Sequence, residues 1–153
     1  MATSRPLEHG PARSERMAHL VVDLMNQLLG LRPGDTDAGV QAVIKRLSLA
    51  CGFDRTFLFR VRADGTHYNS HEWVAPGVAA LKPAMQHIDP ARHAAWHAAF
   101  RAGETVWVRD ASLLAPDMPE RGFLERIGVA STLMVPLCDG ERLIGVVGYD
   151  SQS

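Results

Sequence analysis

The chain has 153 residues, enough for one domain whose core needs no disulfide or metal. Sixteen basic and 17 acidic residues give a net charge of −1, which argues against nucleic-acid or anionic-membrane partners. The sequence has no apolar run near the about 20 residues that span a bilayer, and the first 16 residues lack a signal peptide's apolar core. We therefore expect a cytoplasmic protein.

The N-terminal region predicts a leader followed by a helix. Residues 1–13 are polar and predict a disordered leader, and residues 14–32 predict an amphipathic helix. Its apolar residues are spaced alternately by four and three: Met17, Val21, Leu24, Leu28 and Leu31. This a/d pattern fits either packing on the chain's own sheet or pairing with the same helix of a second chain. The second alternative predicts a homodimer through this helix.

A second helix and a first hairpin follow. The helix is predicted from Asp35 or Thr36, either of which can cap it, to Cys51. Phe57–Val61 then leads through Asp64-Gly65 into Thr66–Trp73, which predicts a β-hairpin. A two-residue turn at Asp64-Gly65 predicts three cross-strand pairs: Val61 with Tyr68, Phe59 with Ser70, and Leu58 with His71.

The middle of the chain predicts a long loop, two helices and a short strand. Ala75-Pro76-Gly77 ends the second strand, and the loop of roughly a dozen residues that follows is long enough to suggest a role in binding. Asp89-Pro90 predicts the start of a helix that runs to Ala102. Thr105–Val108 predicts a strand, and the Pro116–Pro119 region opens a helix that ends at Gly128.

The segment from Leu133 to Asp150 predicts a closing hairpin around Asp139-Gly140. Both of its faces are apolar, so both need a cover of helices. The order of predicted elements is αα-ββ-α-β-α-ββ, without repeats. This order predicts an α+β fold around an antiparallel sheet.

With these elements in place, the chain resembles a GAF domain over about residues 34–150. Three regions carry the resemblance: His71–Val78; Trp96 with Gly103–Val106 and Asp110; and Val129–Ser131 with Val135–Leu137 and Leu143–Asp150. The resemblance implies a GAF-like (profilin-like) three-layer α/β/α sandwich around an antiparallel sheet of five or six strands. It also implies a ligand-sensing module like those of bacterial histidine kinases and of diguanylate cyclases or phosphodiesterases.

Several departures from known GAF domains narrow the function. The dispersed signature of cyclic-nucleotide GAF domains is not found, which argues against that ligand class. Cys51-Gly52 and Cys138-Asp139 do not fit the cysteine that attaches bilins in phytochromes, or the cysteine cluster of free methionine sulfoxide reductases. GAF domains usually continue into a C-terminal signalling helix, which residues 151–153 would precede.

The sequence contains no catalytic motif, and we predict neither a catalytic site nor a metal site. His93 and His97 have the i, i+4 spacing of two metal ligands, but no third ligand is evident. His67 and His71 share a strand face by period two, either half-exposed or on a cavity wall. The residues predicted to bind a ligand are those that the resemblance places around the cavity: His71, Trp73, His93, Trp96, Phe100 and Phe123.

These observations predict a non-catalytic sensory domain that binds an unknown small molecule and controls an output domain, as a dimer. No cofactor is identified. Three alternatives remain open: a redox enzyme of the free methionine sulfoxide reductase type, a ligand-free dimerisation spacer, and a haem protein with a histidine ligand.

Overall fold

The computed structural model describes residues 11–152, in two compact units that divide between Val43 and Ile44. Most of the predicted leader, residues 1–10, lies outside the described residues. Its last three residues are helical, because α1 spans Pro11–Leu29 and begins three residues earlier than predicted. Proline is well suited to a first helical turn, where its missing N–H has no intrahelical partner to lose.

Helix α1 leaves much of its apolar surface exposed. Of the predicted a/d residues, Met17, Val21 and Leu28 are exposed, whereas Leu24 is buried. Leu31 follows the helix, and its side chain occupies the space that a Cβ on Gly39 would need. Helix α2 spans Thr36–Cys51, as its capping residues predict.

The second unit, from Ile44 onward, contains a five-stranded antiparallel sheet. Its strands are β1 (Arg55–Val61), β2 (His67–Val74), β3 (Val106–Val108), β4 (Ser131–Asp139) and β5 (Arg142–Ser151). They lie in the order β2-β1-β5-β4-β3. The α-helices of this region are α3 (Ala94–Arg101) and α4 (Pro119–Arg126), and short 3-10 helices span Pro90–His93 and Ala111–Leu113. This architecture confirms the predicted α+β fold.

The two sides of the sheet have different neighbours. Residues directly opposite one another in an antiparallel pair point to the same side. Phe57 on β1 lies opposite Glu72 and Gly148, and it packs in one core cluster with Trp96 and Phe100 of α3. We call this side the cavity face, because a cavity lies against it. On the other side, the opposite face, the Ser48 hydroxyl in the last part of α2 hydrogen-bonds to the Thr56 hydroxyl.

Gly148 is required at its position on the cavity face. A Cβ built there would lie 2.0 Å from the ring of Phe57 on the neighbouring strand. Only glycine therefore lets the aromatic ring lie across β5, which explains this gap in the apolar pattern of the closing hairpin.

The first hairpin contains a β-bulge that changes the predicted pairing. Leu58 lies opposite His71, as predicted, but Phe59 lies opposite Asn69, so that Ser70 is the extra residue. The predicted pairs of Phe59 with Ser70 and of Val61 with Tyr68 are wrong, since Val61 lies opposite His67.

The turn geometry explains the altered register. The loop between the strands has three residues rather than two, because the N–H of Arg62 donates to the carbonyl of Thr66 at 2.8 Å. Gly65 adopts a φ of 84°, as the left-handed position of a three-residue hairpin loop requires.

Within residues 11–152, no helix is both long enough and apolar enough to cross a membrane.

Candidate functional site

A cavity of about 80 Å³ lies in the second unit, against the cavity face of the sheet. Its wall combines β1 and β2 with α3, α4 and the segment of residues 75–89. Apolar side chains form most of the wall: Phe57, Phe59, Leu81, Met85, Ile88, Trp96, Phe100, Phe123, Leu124, Ile127 and Met134. Eight polar residues complete it: Arg55, His67, Asn69, Glu72, His93, His97, Thr132 and Asp150.

Four of the six predicted ligand-binding residues line this cavity, namely His93, Trp96, Phe100 and Phe123. The other two, His71 and Trp73, are absent from its wall and belong to the opposite face. The register shows this, because His71 lies opposite Leu58 and Trp73 opposite Thr56. The bulge at Ser70 is the physical reason, since one extra residue reverses which side each later residue of β2 faces.

The same bulge brings unpredicted residues to the site. His67 and Asn69, before the bulge, and Glu72, after it, all line the cavity. The predicted shared face of His67 and His71 is therefore wrong. A sequence signal existed in the polar run from Asn69 to Glu72, but period-two alternation assigns those residues to alternate faces without a bulge.

A buried ionic cluster forms one end of the cavity. The guanidinium of Arg55, whose side chain is 1% exposed, donates to Asp150 Oδ2 at 3.0 Å and to the carbonyl of Ala79 at 2.8 Å. Its Nε lies 3.7 Å from Glu72 Oε1. Burial raises the pKa of Asp150 despite this cation, because desolvation disfavours the carboxylate. One cation therefore serves two buried carboxyl groups.

The 75–89 segment closes the cavity beside β2. The Glu72 carboxylate accepts hydrogen bonds from the backbone N–H groups of Leu81 and Lys82, at 3.0 and 2.9 Å. Asn69 N–H donates to the carbonyl of Met85 at 2.8 Å, and the N–H groups of His67 and Ile88 each donate to the other's carbonyl. These bonds place Leu81, Met85 and Ile88 over the cavity.

Two buried histidines, His67 and His97, and the half-buried His93 contribute uncharged rings. His67 and His97 meet edge to face at 4.4 Å between ring centroids, and His93 lies 4.8 Å from Phe123. Burial lowers the pKa of His67 and of His93, and it lowers the pKa of His97 to about 4. All three rings are therefore neutral near pH 7, so they supply no positive charge to a ligand.

The histidine spacing does not form a metal site in the described chain. His93 ends the 3-10 helix and precedes α3 with a φ of −135°, so His93 and His97 do not share one regular helix. Residues 11–152 contain no group of three His, Cys, Asp or Glu side chains arranged to hold a metal ion. Cys51 is half-buried, Cys138 is exposed, and neither lines the cavity.

Trp107 lies apart from the cavity. It is 61% exposed on β3, with the Arg109 guanidinium 4.1 Å from its ring centroid. Of the three tryptophans, only Trp96 lines the cavity.

Comparison with known proteins identifies the family. Residues 35–153 match the family described as "GAF domain". The chain belongs to the GAF domain family. No curated protein is significantly similar to it in sequence.

Solved structures of photoreceptors share the GAF fold of this chain. The GAF domain of PixJ from Thermosynechococcus elongatus, in its blue-light absorbing form, is 18% identical, with a TM-score of 0.62 over 88% of this chain and 72% of that one. A phycocyanobilin-bound GAF domain from a cyanobacterial phytochrome is 12% identical, with a TM-score of 0.71 over 92% of this chain and 80% of that one. The chromophore-binding domain of a Stigmatella aurantiaca bacteriophytochrome is 16% identical, with a TM-score of 0.75 over 98% of this chain and 55% of that one.

Proposed function

We propose that this GAF domain is a non-catalytic sensory domain of a cytoplasmic bacterial signalling protein. A small molecule binds in the cavity and controls an output domain, such as a histidine kinase or a diguanylate cyclase or phosphodiesterase. The observation that carries this proposal is the mostly apolar cavity, into which a few polar groups converge. Such a combination is typical of small-molecule sites.

The cavity supports a ligand smaller than the pigments named for its structural neighbours. Its volume of about 80 Å³ lies well below the roughly 300–1,000 Å³ of sites for drug-sized ligands. Neither cysteine lines it, so a pigment there would have no thiol for covalent attachment. The same placement disfavours thiol-based redox chemistry in the cavity.

The open cavity also favours sensing over a purely structural role. In a ligand-free spacer, Trp73, Trp96 and Phe123 would be expected to fill the space. Instead, Trp73 belongs to the opposite face of the sheet, and the cavity between the remaining side chains is open.

A cavity-filling substitution tests ligand binding. Met85 is a half-buried residue of the cavity wall, and Met85→Trp adds an indole there. Leu113→Trp is the matched control, because Leu113 is 81% exposed on the surface. Native mass spectrometry of the chain mixed with a bacterial metabolite extract should detect a small bound molecule in the wild type and in Leu113→Trp, and at least about tenfold less in Met85→Trp. Equal occupancy in all three proteins, or none in the wild type, would refute the proposal.

We further propose that α1 pairs with the same helix of a second copy. Six of its large apolar side chains are exposed: Met17, Val21, Val22, Met25, Leu28 and Leu29. Such a row supports helix pairing, because its burial against a second copy removes apolar surface from water. For the dimer to carry a signal, the ligand must bind two arrangements with different affinity.

Light scattering after gel filtration tests this pairing. The wild type should have the mass of a dimer, and Val21→Glu with Leu28→Glu should shift it to a monomer, because each buried carboxylate would be desolvated. Leu113→Glu places the same charge on an exposed residue and should leave the dimer intact. A monomeric wild type at tens of micromolar would contradict the pairing.

A further inference from the structure

We infer that the ligand of this cavity is a small, uncharged aromatic molecule with an N–H or O–H donor that Asn69 Oδ1 accepts. This inference rests on the proposed sensory function and specifies the ligand class of the same cavity. Three observations on the cavity wall support it. Some buried polar atoms have no hydrogen-bond partner within residues 11–152, the charged groups are already bound within the protein, and aromatic rings line the cavity.

The cavity wall contains buried polar atoms that have no hydrogen-bond partner in the described part of the protein. Among the described residues, three buried side-chain atoms of the cavity wall have no hydrogen-bond partner: Arg55 Nε, Asn69 Oδ1 and His93 Nδ1. Buried polar groups are nearly always paired in native proteins. An unpaired buried acceptor such as Asn69 Oδ1 therefore favours a ligand that presents a donor.

Asn69 is held so that its Oδ1 is the atom available to the ligand. Its side-chain Nδ2 lies 3.5 Å from Glu72 Oε1, which assigns the nitrogen to the side facing the carboxylate. Its backbone N–H donates to Met85, and its carbonyl accepts from Gln86 Nε2 at 3.0 Å. The residue is 1% exposed, so bulk water does not compete freely for Oδ1.

The charges around the cavity disfavour an ionic ligand. The guanidinium of Arg55 is already bound to Asp150 and to the carbonyl of Ala79, and burial keeps the three histidines neutral. The remaining donor of Arg55, Nε, lies 3.7 Å from Glu72 Oε1, so a carboxylate or phosphate ligand would compete with Glu72 and Asp150 for this one cation. A cationic ligand would lose its hydration in a mostly apolar cavity whose carboxyl groups, Glu72 and Asp150, are already engaged by Arg55 and by backbone N–H groups.

The aromatic side chains of the cavity wall favour a ligand that itself contains an aromatic ring. The rings of Trp96 and Phe123 meet edge to face, with 6.4 Å between their centroids. On β1, the ring centroids of Phe57 and Phe59 lie 4.7 Å apart. Flat ligands gain edge-to-face and offset contacts with such walls. The volume of about 80 Å³ is roughly half of the 150 Å³ apolar cavity that admits benzene. A single ring is therefore the largest group that can enter, and it enters only when the wall adjusts, for which the flexible Met85 side chain is suited.

Three related probes test this ligand class in the full 153-residue chain by protein-observed NMR titration at pH 7.5. Phenol has a ring and a donor, benzene has the ring alone, and benzoate has a ring and a charge. We expect phenol to bind at least about tenfold more tightly than either of the others, since only phenol satisfies Asn69 Oδ1 without bringing a charge into the cavity. Equal affinity for phenol and benzene, or for phenol and benzoate, would overturn the inference.

A variant pair assigns the preference to Asn69. Asn69→Leu removes the acceptor at similar size and should bring phenol and benzene within about twofold of each other. Asn26→Leu removes an exposed amide on α1 and should retain the tenfold preference. If the preference survives in Asn69→Leu, the inference is wrong.

The probes separate this inference from the proposed function. Binding of all three without discrimination would overturn the ligand class and leave a ligand-binding cavity. Failure of phenol to bind would overturn the ligand class, while the metabolite experiment with Met85→Trp would still decide whether any small molecule is bound.

Discussion

The two sides of strand β2 differ because of one bulged residue, which decides that one side lines the cavity and the other does not. On the cavity face, His67, Asn69 and Glu72 meet the cavity and the segment that closes it. On the opposite face, His71 and Trp73 lie across from Leu58 and Thr56 of β1. Both sets are mixtures of polar and aromatic residue types. Only the bulge at Ser70 decides which set faces the cavity, so residue type alone does not identify a site on this strand.

The largest expected difference between the two faces of the sheet concerns stability, and it is tested by removing one arginine from each side of β1. Arg55 lies in the buried cluster at the cavity, whereas Arg60 is exposed on the same strand. Arg55→Met should lower the free energy of unfolding by about 3–5 kcal/mol, because it leaves Asp150 and Glu72 buried without their cation.

The matched variant Arg60→Met should change the free energy of unfolding by less than about 0.5 kcal/mol. Urea unfolding at pH 7 measures both variants. A loss at Arg55 no larger than the loss at Arg60 would show that the ionic cluster contributes nothing to the stability of the cavity face.

The second prediction concerns pH and the histidines of the two faces. The pKa of His97 is lowered to about 4 in the folded chain, below its ordinary value of 6.5. The unfolded chain therefore binds a proton that the folded chain does not, and the protein loses stability as the pH falls from about 6.5 toward 4. Between pH 7.5 and pH 5, His97 alone should cost about 2 kcal/mol of unfolding free energy.

Substitutions on each face test this assignment. His97→Phe should remove most of that pH-dependent loss, while His71→Phe on the opposite face should retain it, because His97 is still present. Urea unfolding at the two pH values gives the difference directly. A wild type equally stable at pH 5 and pH 7.5 would mean that His97 is not held neutral by burial.

The sequence predicted the fold better than the site, for identifiable reasons. Local signals defined most elements: Thr36 and Gly52 bound α2, Asp89-Pro90 starts the 3-10 helix before α3, and Asp139-Gly140 turns the closing hairpin. The resemblance to GAF domains also indicated His93, Trp96 and Phe100, three residues of the cavity wall.

The rest of the site depends on features without a local signal. A bulge at Ser70 is set by strand pairing, so the family resemblance, which suggested His71 and Trp73 as ligand-binding residues, did not reveal that they lie on the opposite face. Arg55 and Asp150 are 95 residues apart in sequence and meet only because β1 pairs with β5. Such a pair follows from the sheet order, which the sequence of predicted elements did not provide.

The most direct test of the central claim, that the ligand enters on the cavity face, uses the three tryptophan indole N–H signals. Trp96 lines the cavity, Trp73 belongs to the opposite face, and Trp107 is exposed on β3. Each signal is assigned by a Trp→Phe variant, and the chain is titrated with phenol. We expect the Trp96 signal to shift with saturation while the other two stay within the noise, and Met85→Trp to abolish the shift. A saturable shift of Trp73 without one of Trp96 would contradict the account.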